Sequence, residues 1–207
     1  MEFLTARGQD VEITVKLIRK EQGRWKWWWG ENAMFDITNS KDFYAKLLAD
    51  FDDFMDNPAS ARHAMNCAIT AHHVHDWVWN DYLKNDQVTR SRMGLGKDKK
   101  EFINWIASRS VWFGMVQEIS NGSKHFGRDA PFETRRITGY GMGPYGVGPY
   151  GHSYLLIDHG EEAGVHQFMT VAMLLEVVVR FWRDFFKSFS PYRDDLPKGK
   201  TKLMDEQ

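Results

Sequence analysis

One cysteine, Cys67, in 207 residues removes two possibilities at the outset. No intrachain disulfide can form, and no zinc site can be assembled from cysteine ligands. A single thiol fits a reducing compartment, so a cytoplasmic location is expected. Net charge is also nearly absent: 27 Lys and Arg face 28 Asp and Glu, for a formal charge of −1. The chain as a whole therefore has no electrostatic drive toward nucleic acid or membrane, although a local basic patch is a separate matter. No run approaches about 18 consecutive apolar residues, so neither a spanning helix nor a membrane partner is expected. Residues 1–10 lack a basic start followed by an apolar run, and no signal peptide is expected.

Several catalytic templates are missing as well. There is no Gly-x-Ser-x-Gly elbow and no glycine-rich dinucleotide fingerprint following a strand. Gly94-Leu95-Gly96-Lys97 is too short to be a phosphate loop. Cys67 lies among apolar helical residues and reads as a core thiol, not a nucleophile. No cofactor is expected.

What the chain does have is enough apolar and aromatic residue content for one globular core, with nine Trp among its large side chains. Val11, Ile13, Val15 and Leu17 alternate with polar residues, Gln22-Gly23 supplies a turn, and Trp25, Trp27 and Trp29 alternate with Arg24, Lys26 and Trp28. Residues 11–29 are thus expected to form a β-hairpin. Its Trp face is either a stacking surface for nucleic-acid bases or a strand packing its indoles on the helices.

Helical spacing runs over 41–56, capped by Asn39 or Ser40. It returns over 58–84, with Pro58 at the first helical position, over 99–108, over 110–126 with Ser110 as cap, and over 170–189. In the second helix the expected buried stripe is Met65, Ile69, His72, Asp76, Trp79 and Leu83. Residues 85–98 read as a polar loop. Residues 139–151 repeat Met/Val-Gly-Pro-Tyr-Gly and read as a flexible loop whose tyrosines either close over a site or form a mobile tip. Segments 135–138 and 153–158 flank it as strands. The expected architecture is mainly α (α+β), a four- to five-helix bundle with small β-hairpins. It is expected to form a single domain over 1–190, with a polar, fraying tail over 191–207. The expected core includes Phe51, Met65, Ile69, Trp79, Ile106, Val116, Ile119, Leu175, Val178 and Trp182.

Two polar segments interrupt this apolar scaffold, residues 71–77 (Ala-His-His-Val-His-Asp-Trp) and residues 119–126 (Ile-Ser-Asn-Gly-Ser-Lys-His-Phe). Polar groups in a core must be hydrogen-bonded or ligated. His72 and Asp76 are one helical turn apart and can touch. With His75, and with His63 or His125 from elsewhere, they offer ligands to a transition metal. The alternative is a buried His72–Asp76 hydrogen bond that fixes helix packing. In the second segment Gly122 costs about 1 kcal/mol relative to Ala in a helix and would admit a close approach. Ser120, Asn121 and His125 place a hydroxyl, an amide and an imidazole near one helix end, and Lys124 can reach a phosphate.

This second segment resembles the signature of the HEPN superfamily, compact helical domains whose motif is Arg, often Asn, three residues and His near a helix end. Asn121 and His125 match that spacing, and Ser120 stands where the Arg would be. The resemblance implies an RNA- or nucleotide-binding homodimer. It implies metal-independent ribonuclease chemistry with His125 as acid/base or phosphate-contacting group, Asn121 orienting it and Lys124 on phosphate, while Ser120 in place of Arg points to a degenerate or nucleotide-sensing member. His72 and Asp76 would support the site from the neighbouring helix. The chain also resembles a group of uncharacterised bacterial proteins that pair an Asp-Trp helix, here Asp76-Trp77, with a helix ending Asn-Gly-x-Lys-His-Phe, here residues 121–126; that likeness implies no function. Two further readings stay open: a metal-dependent enzyme using His72, His75, Asp76 and His125, and a non-catalytic helical interaction protein.

Overall fold

The computed structural model describes backbone and side chains over 35–123 and 132–204, and the backbone alone over 3–8, 11–21, 24–27 and residue 34. The chain divides into two compact units, Met1–Thr38 and Asn39–Gln207.

The first unit is a three-stranded antiparallel sheet in the order β1 (Phe3–Gly8), β2 (Val11–Glu21), β3 (Arg24–Trp27). The expected pairing within 11–29 is present, with Leu17 opposite Trp27 and a register irregularity between Ile18 and Glu21. β1, with Leu4 opposite Val15, is an additional strand. The turn at Gln22-Gly23, the residues Trp28 and Trp29, and the side chains of Trp25 and Trp27 lie outside the described residues.

The second unit is mainly α with a small β part. Helix α1 (Ser40–Asp56) starts where the Asn39 side chain accepts the Asp42 N–H and in turn donates to the Asp42 carboxylate. It buries Tyr44, Leu47, Leu48, Phe51 and Phe54 at helical spacing. Helix α2 (Ala61–Val78) is capped by the Ser60 hydroxyl, which accepts from His63 N. Pro58 therefore sits in the preceding turn and not at the expected first helical position.

The buried face of α2 also differs from expectation. It runs through Ala64, Cys67, Ala68, Ala71, Val74, His75 and Val78; of the expected stripe His72, Trp79 and Leu83 are buried, whereas Met65 is 43% exposed and Ile69 and Asp76 are half-buried. Two adjacent stripes compete on this helix, and close contact with α1 and α6 selects the one made of small residues. The Trp182 indole N–H bonds the Ala71 carbonyl at 2.9 Å, which seats a large ring on that alanine face. Beyond Val78 the helix widens into a π-turn over Trp79–Leu83. There Asp81 accepts the backbone N–H and hydroxyl of Ser40, at 3.0 and 2.7 Å, and the Tyr192 hydroxyl at 3.1 Å.

The expected loop over 85–98 contains a two-turn helix, α3 (Gln87–Met93), capped by Asp86 and closed by Gly94 in the left-handed region. Buried Arg90 reaches back to the carbonyls of Leu83 and Lys84 at the preceding helix end. Helices α4 (Lys99–Arg109) and α5 (Trp112–Gly122) follow as expected. Ser110 makes no side-chain cap; it is buried, and its carbonyl accepts the Phe113 N–H.

A second antiparallel sheet has the order β4 (Glu133–Ile137), β5 (Tyr154–Asp158), β6 (Phe168–Thr170). Its third strand is not in the sequence expectation. The loop between β4 and β5 wraps around Tyr154, whose hydroxyl donates to the Val147 carbonyl at 2.7 Å. A Cβ on Gly143 would lie 2.0 Å from that hydroxyl, and one on Gly148 would lie 2.5 Å from the ring. The two repeats thus use equivalent glycines to fold around one tyrosine, while Tyr140, Tyr145 and Tyr150 remain exposed.

Helix α6 (Val171–Phe189) carries the widest apolar face and touches α1, α2, α5 and β5. Of the expected core, Phe51, Trp79, Ile106, Val116, Leu175, Val178 and Trp182 are buried, and Ile69 and Ile119 are half-buried. The tail expected to fray is instead anchored. Asp52 accepts the N–H groups of Lys200 and Thr201 at 2.8 and 2.7 Å, Glu176 accepts that of Met204, and Leu203 is buried.

Candidate functional site

The two polar segments meet where α2 packs on α5. His72 sits on the side of α2 that faces α5, and its Nδ1 shares a hydrogen bond with Ser120 Oγ at 3.2 Å. Both residues are buried, and Ser120 has no accessible surface. The Phe113 ring, about two turns before Ser120 on α5, packs against the imidazoles of His72 and His75 at 5.6 and 5.9 Å between centroids and edge-on to Trp182. The His72 ring also lies 5.0 Å from those of His73 and His75. A helical run of three histidines is thereby held between a phenylalanine and a serine of the neighbouring helix.

His72 does not bond Asp76, so the expected packing pair is replaced by His72–Ser120. Asp76 turns toward the start of α4, where Lys99 donates to its Oδ1. The same oxygen is 3.3 Å from His75 Nε2, and Oδ2 is 3.6 Å from His73 Nδ1. His75 Nδ1 donates to the His72 carbonyl, which fixes the ring proton on that nitrogen because a carbonyl only accepts.

Electrostatics follow from these contacts. Burial pushes the His75 imidazole toward its neutral form; the hydrogen bond to the His72 carbonyl and the Asp76 charge act the other way, and Lys99 and His73 reinforce the lowering. Burial also opposes the Asp76 charge, but the Lys99 hydrogen bond, with His75, Lys99 and His73 adding charge, holds the carboxyl below its usual range. Burial foremost, and Lys99 in a lesser part, therefore disfavour the charged His75, while Lys99 favours the Asp76 carboxylate. Asp76, Lys99 and His73 are each about a third exposed, so this edge of the site reaches solvent.

On α5, Asn121 is half-buried in the last turn, and the Ser123 hydroxyl closes that turn by donating to the Ser120 carbonyl. Gly122 is exposed, and a Cβ there would meet no described atom within 4 Å, so the expected close approach is not seen. Lys124 and His125 lie outside the described residues. His63 sits nine positions before His72, about 13 Å along the helix axis, where its Nε2 lies 2.6 Å from the Arg62 guanidinium. Among the described residues no three His, Cys, Asp or Glu side chains gather as a metal site. Cys67 is fully buried, and its thiol is pushed up by desolvation.

Sequence reasoning missed Lys99 and Phe113. Phe113 is ordinary core by spacing. Lys99 carried a usable signal, since a lysine at the first position of a helix opposes the macrodipole and calls for a nearby anion.

No family model, curated protein or solved structure matches this chain. Among the described residues no helix is long and apolar enough to cross a membrane.

Proposed function

We propose that this protein is a HEPN-like module that binds RNA or a nucleotide at the end of α5, works as a homodimer, and cleaves RNA without a metal. One observation carries the reading: the His72–Ser120 hydrogen bond joins the two polar segments into one locus. In this reading Ser120 and His72 are positioning residues, since both are buried. Asn121 orients His125, which acts as acid/base or phosphate contact, and Lys124 contacts phosphate. Asp76 and Lys99, hydrogen-bonded to each other, brace the neighbouring edge. The test is binding and cleavage of RNA by wild type and by His125→Ala and Asn121→Ala, in EDTA. Loss of both properties in His125→Ala is expected; unchanged binding and cleavage in both variants would end the proposal.

The non-catalytic reading is favoured by a different observation: buried His75 bonds the His72 carbonyl within its own helix, as packing residues do. On that reading His125→Ala alters neither RNA binding nor cleavage, and substitutions at His72 lower stability alone.

A further inference from the structure

A cavity of about 430 Å³ opens between α1, α6 and the anchored C-terminal segment, within the size range of small-molecule sites. Its lining is unusually cationic: Arg183 and Lys187 from α6, and Lys198, Lys200 and Lys202 from the segment. In a chain of net charge −1, five positive side chains line this one cavity; Arg183 is paired with Asp184, and the Asp52 carboxylate lies against the segment.

The carboxylates nearby are already engaged. Asp52 accepts the two backbone N–H groups of Lys200 and Thr201, with Lys200 adding to the field it feels. Glu176 accepts Met204 N–H, and Asp184 accepts from Arg183. Elsewhere in this unit Lys41 pairs with Asp195, Lys46 with Asp50 and Lys99 with Asp76, whereas Lys84, Lys97 and Lys100 have no ion pair among the described residues. Among the described residues no carboxylate forms an ion pair with Lys187, Lys198, Lys200 or Lys202.

The backbone that carries three of these lysines is held in place. Lys198, Lys200 and Lys202 are exposed and alternate with half-buried Pro197, Gly199 and Thr201, and buried Leu203 follows. The segment is therefore pinned on one side by Asp52 and Leu203, and its three exposed lysines line the cavity. The Gly199-Lys200-Thr201 stretch is no phosphate loop, because the N–H groups such a loop would offer are spent on Asp52. Recognition is left to lysine point charges, which bind phosphate oxygens without the planar fork that arginine supplies. The apolar wall is aliphatic, from Leu48, Leu196 and Pro197; Tyr44 is buried and stacked on Phe186, so no free ring is offered to a base.

We propose that this cavity binds the oligophosphate group of a phosphorylated small molecule, with Lys187, Lys198, Lys200 and Lys202 holding the phosphates. The site involves none of the residues assigned above to RNA, and it stands whether or not that reading does.

The test is calorimetric titration of the full chain with inorganic tripolyphosphate and, separately, with ATP. Saturable one-site binding of tripolyphosphate is expected, weakened about tenfold or more in Lys187→Gln/Lys198→Gln and changed less than about twofold in Lys41→Gln, a paired lysine lining no part of this cavity. Binding retained in His125→Ala separates this site from the one at the end of α5. ATP binding no tighter than tripolyphosphate means that the phosphates alone are recognised; tighter ATP binding means that the aliphatic wall contributes. No saturable binding of tripolyphosphate, unchanged binding in the double variant, or equal weakening in Lys41→Gln would overturn the proposal. Matching thermal melts verify that the variants fold.

Discussion

His72 on α2 and Ser120 on α5 share a buried hydrogen bond, 3.2 Å from Nδ1 to Oγ. It is the cross-helix link between the two polar segments of the chain. Removing either partner breaks this bond in a desolvated setting. Ser120→Ala and His72→Ala are each expected to lower stability by about 1–3 kcal/mol. The double variant should cost less than the sum of the two, because the bond the two side chains share is lost only once. Urea midpoints for the four proteins measure this; strict additivity would mean that the two side chains do not interact.

Lys99 decides how charge is shared between Asp76 and His75. Lys99→Met removes the ammonium that favours the carboxylate and disfavours the imidazolium. Both pKa values should then rise. NMR titration of the His75 ring reads this directly, and a His75 pKa that fell or stayed fixed in Lys99→Met would show that Lys99 does not couple to it.

Acid should loosen this protein in two stages. The His75 value is lowered in the fold, chiefly by burial. Its contribution is therefore present above the unfolded value of about 6.5 and is lost as pH falls through the lower folded value. Asp52 also sits low: desolvation pushes it up, but the Lys200 and Thr201 N–H bonds and the Lys200 charge outweigh that. Its contribution is present above about 3.9 and is lost as pH falls through its folded value. Amide hydrogen exchange at Lys200 and Thr201 should speed up, relative to the helices, only in this second stage. Asp52→Asn should remove that stage, and equal exchange behaviour in the two proteins would contradict the anchoring role.

Much of this was legible in the sequence. The five main helices, the β2–β3 pairing and the two strands beside the Gly-Pro-Tyr repeats follow from hydrophobic period and turn residues. What periodicity could not settle was which of two neighbouring stripes α2 buries, since alanine and methionine stripes differ in size more than in apolarity. α3 escaped notice because a two-turn helix with Val88 and Met93 as its only large apolar residues gives almost no periodic signal. The tail read as free because its anchors, Asp52 and Glu176, bond backbone N–H groups, and such groups leave no mark in a sequence. At the site, the pairing of two polar segments was legible, but the partners were not: His72 chose Ser120 and Asp76 chose Lys99, contacts 48 and 23 residues apart in sequence.

The two repeats should tolerate substitution unequally around Tyr154. Gly148→Ala places a Cβ against the ring at a positive φ and should cost about 1–2 kcal/mol from the backbone alone. Gly143→Ala clashes mainly with the hydroxyl, so Tyr154→Phe should partly rescue it and should not rescue Gly148→Ala. Thermal melts of the single and paired variants check the order; equal rescue of both would contradict the wrapped loop.

The most direct test of the proposed function is cleavage of a mixed RNA pool in excess EDTA by wild type and His125→Ala. Cleavage by the wild type that persists in EDTA and disappears in His125→Ala is the expected result. RNA left intact by both proteins, with equal RNA retention, would contradict it and favour the packing role of the buried histidines.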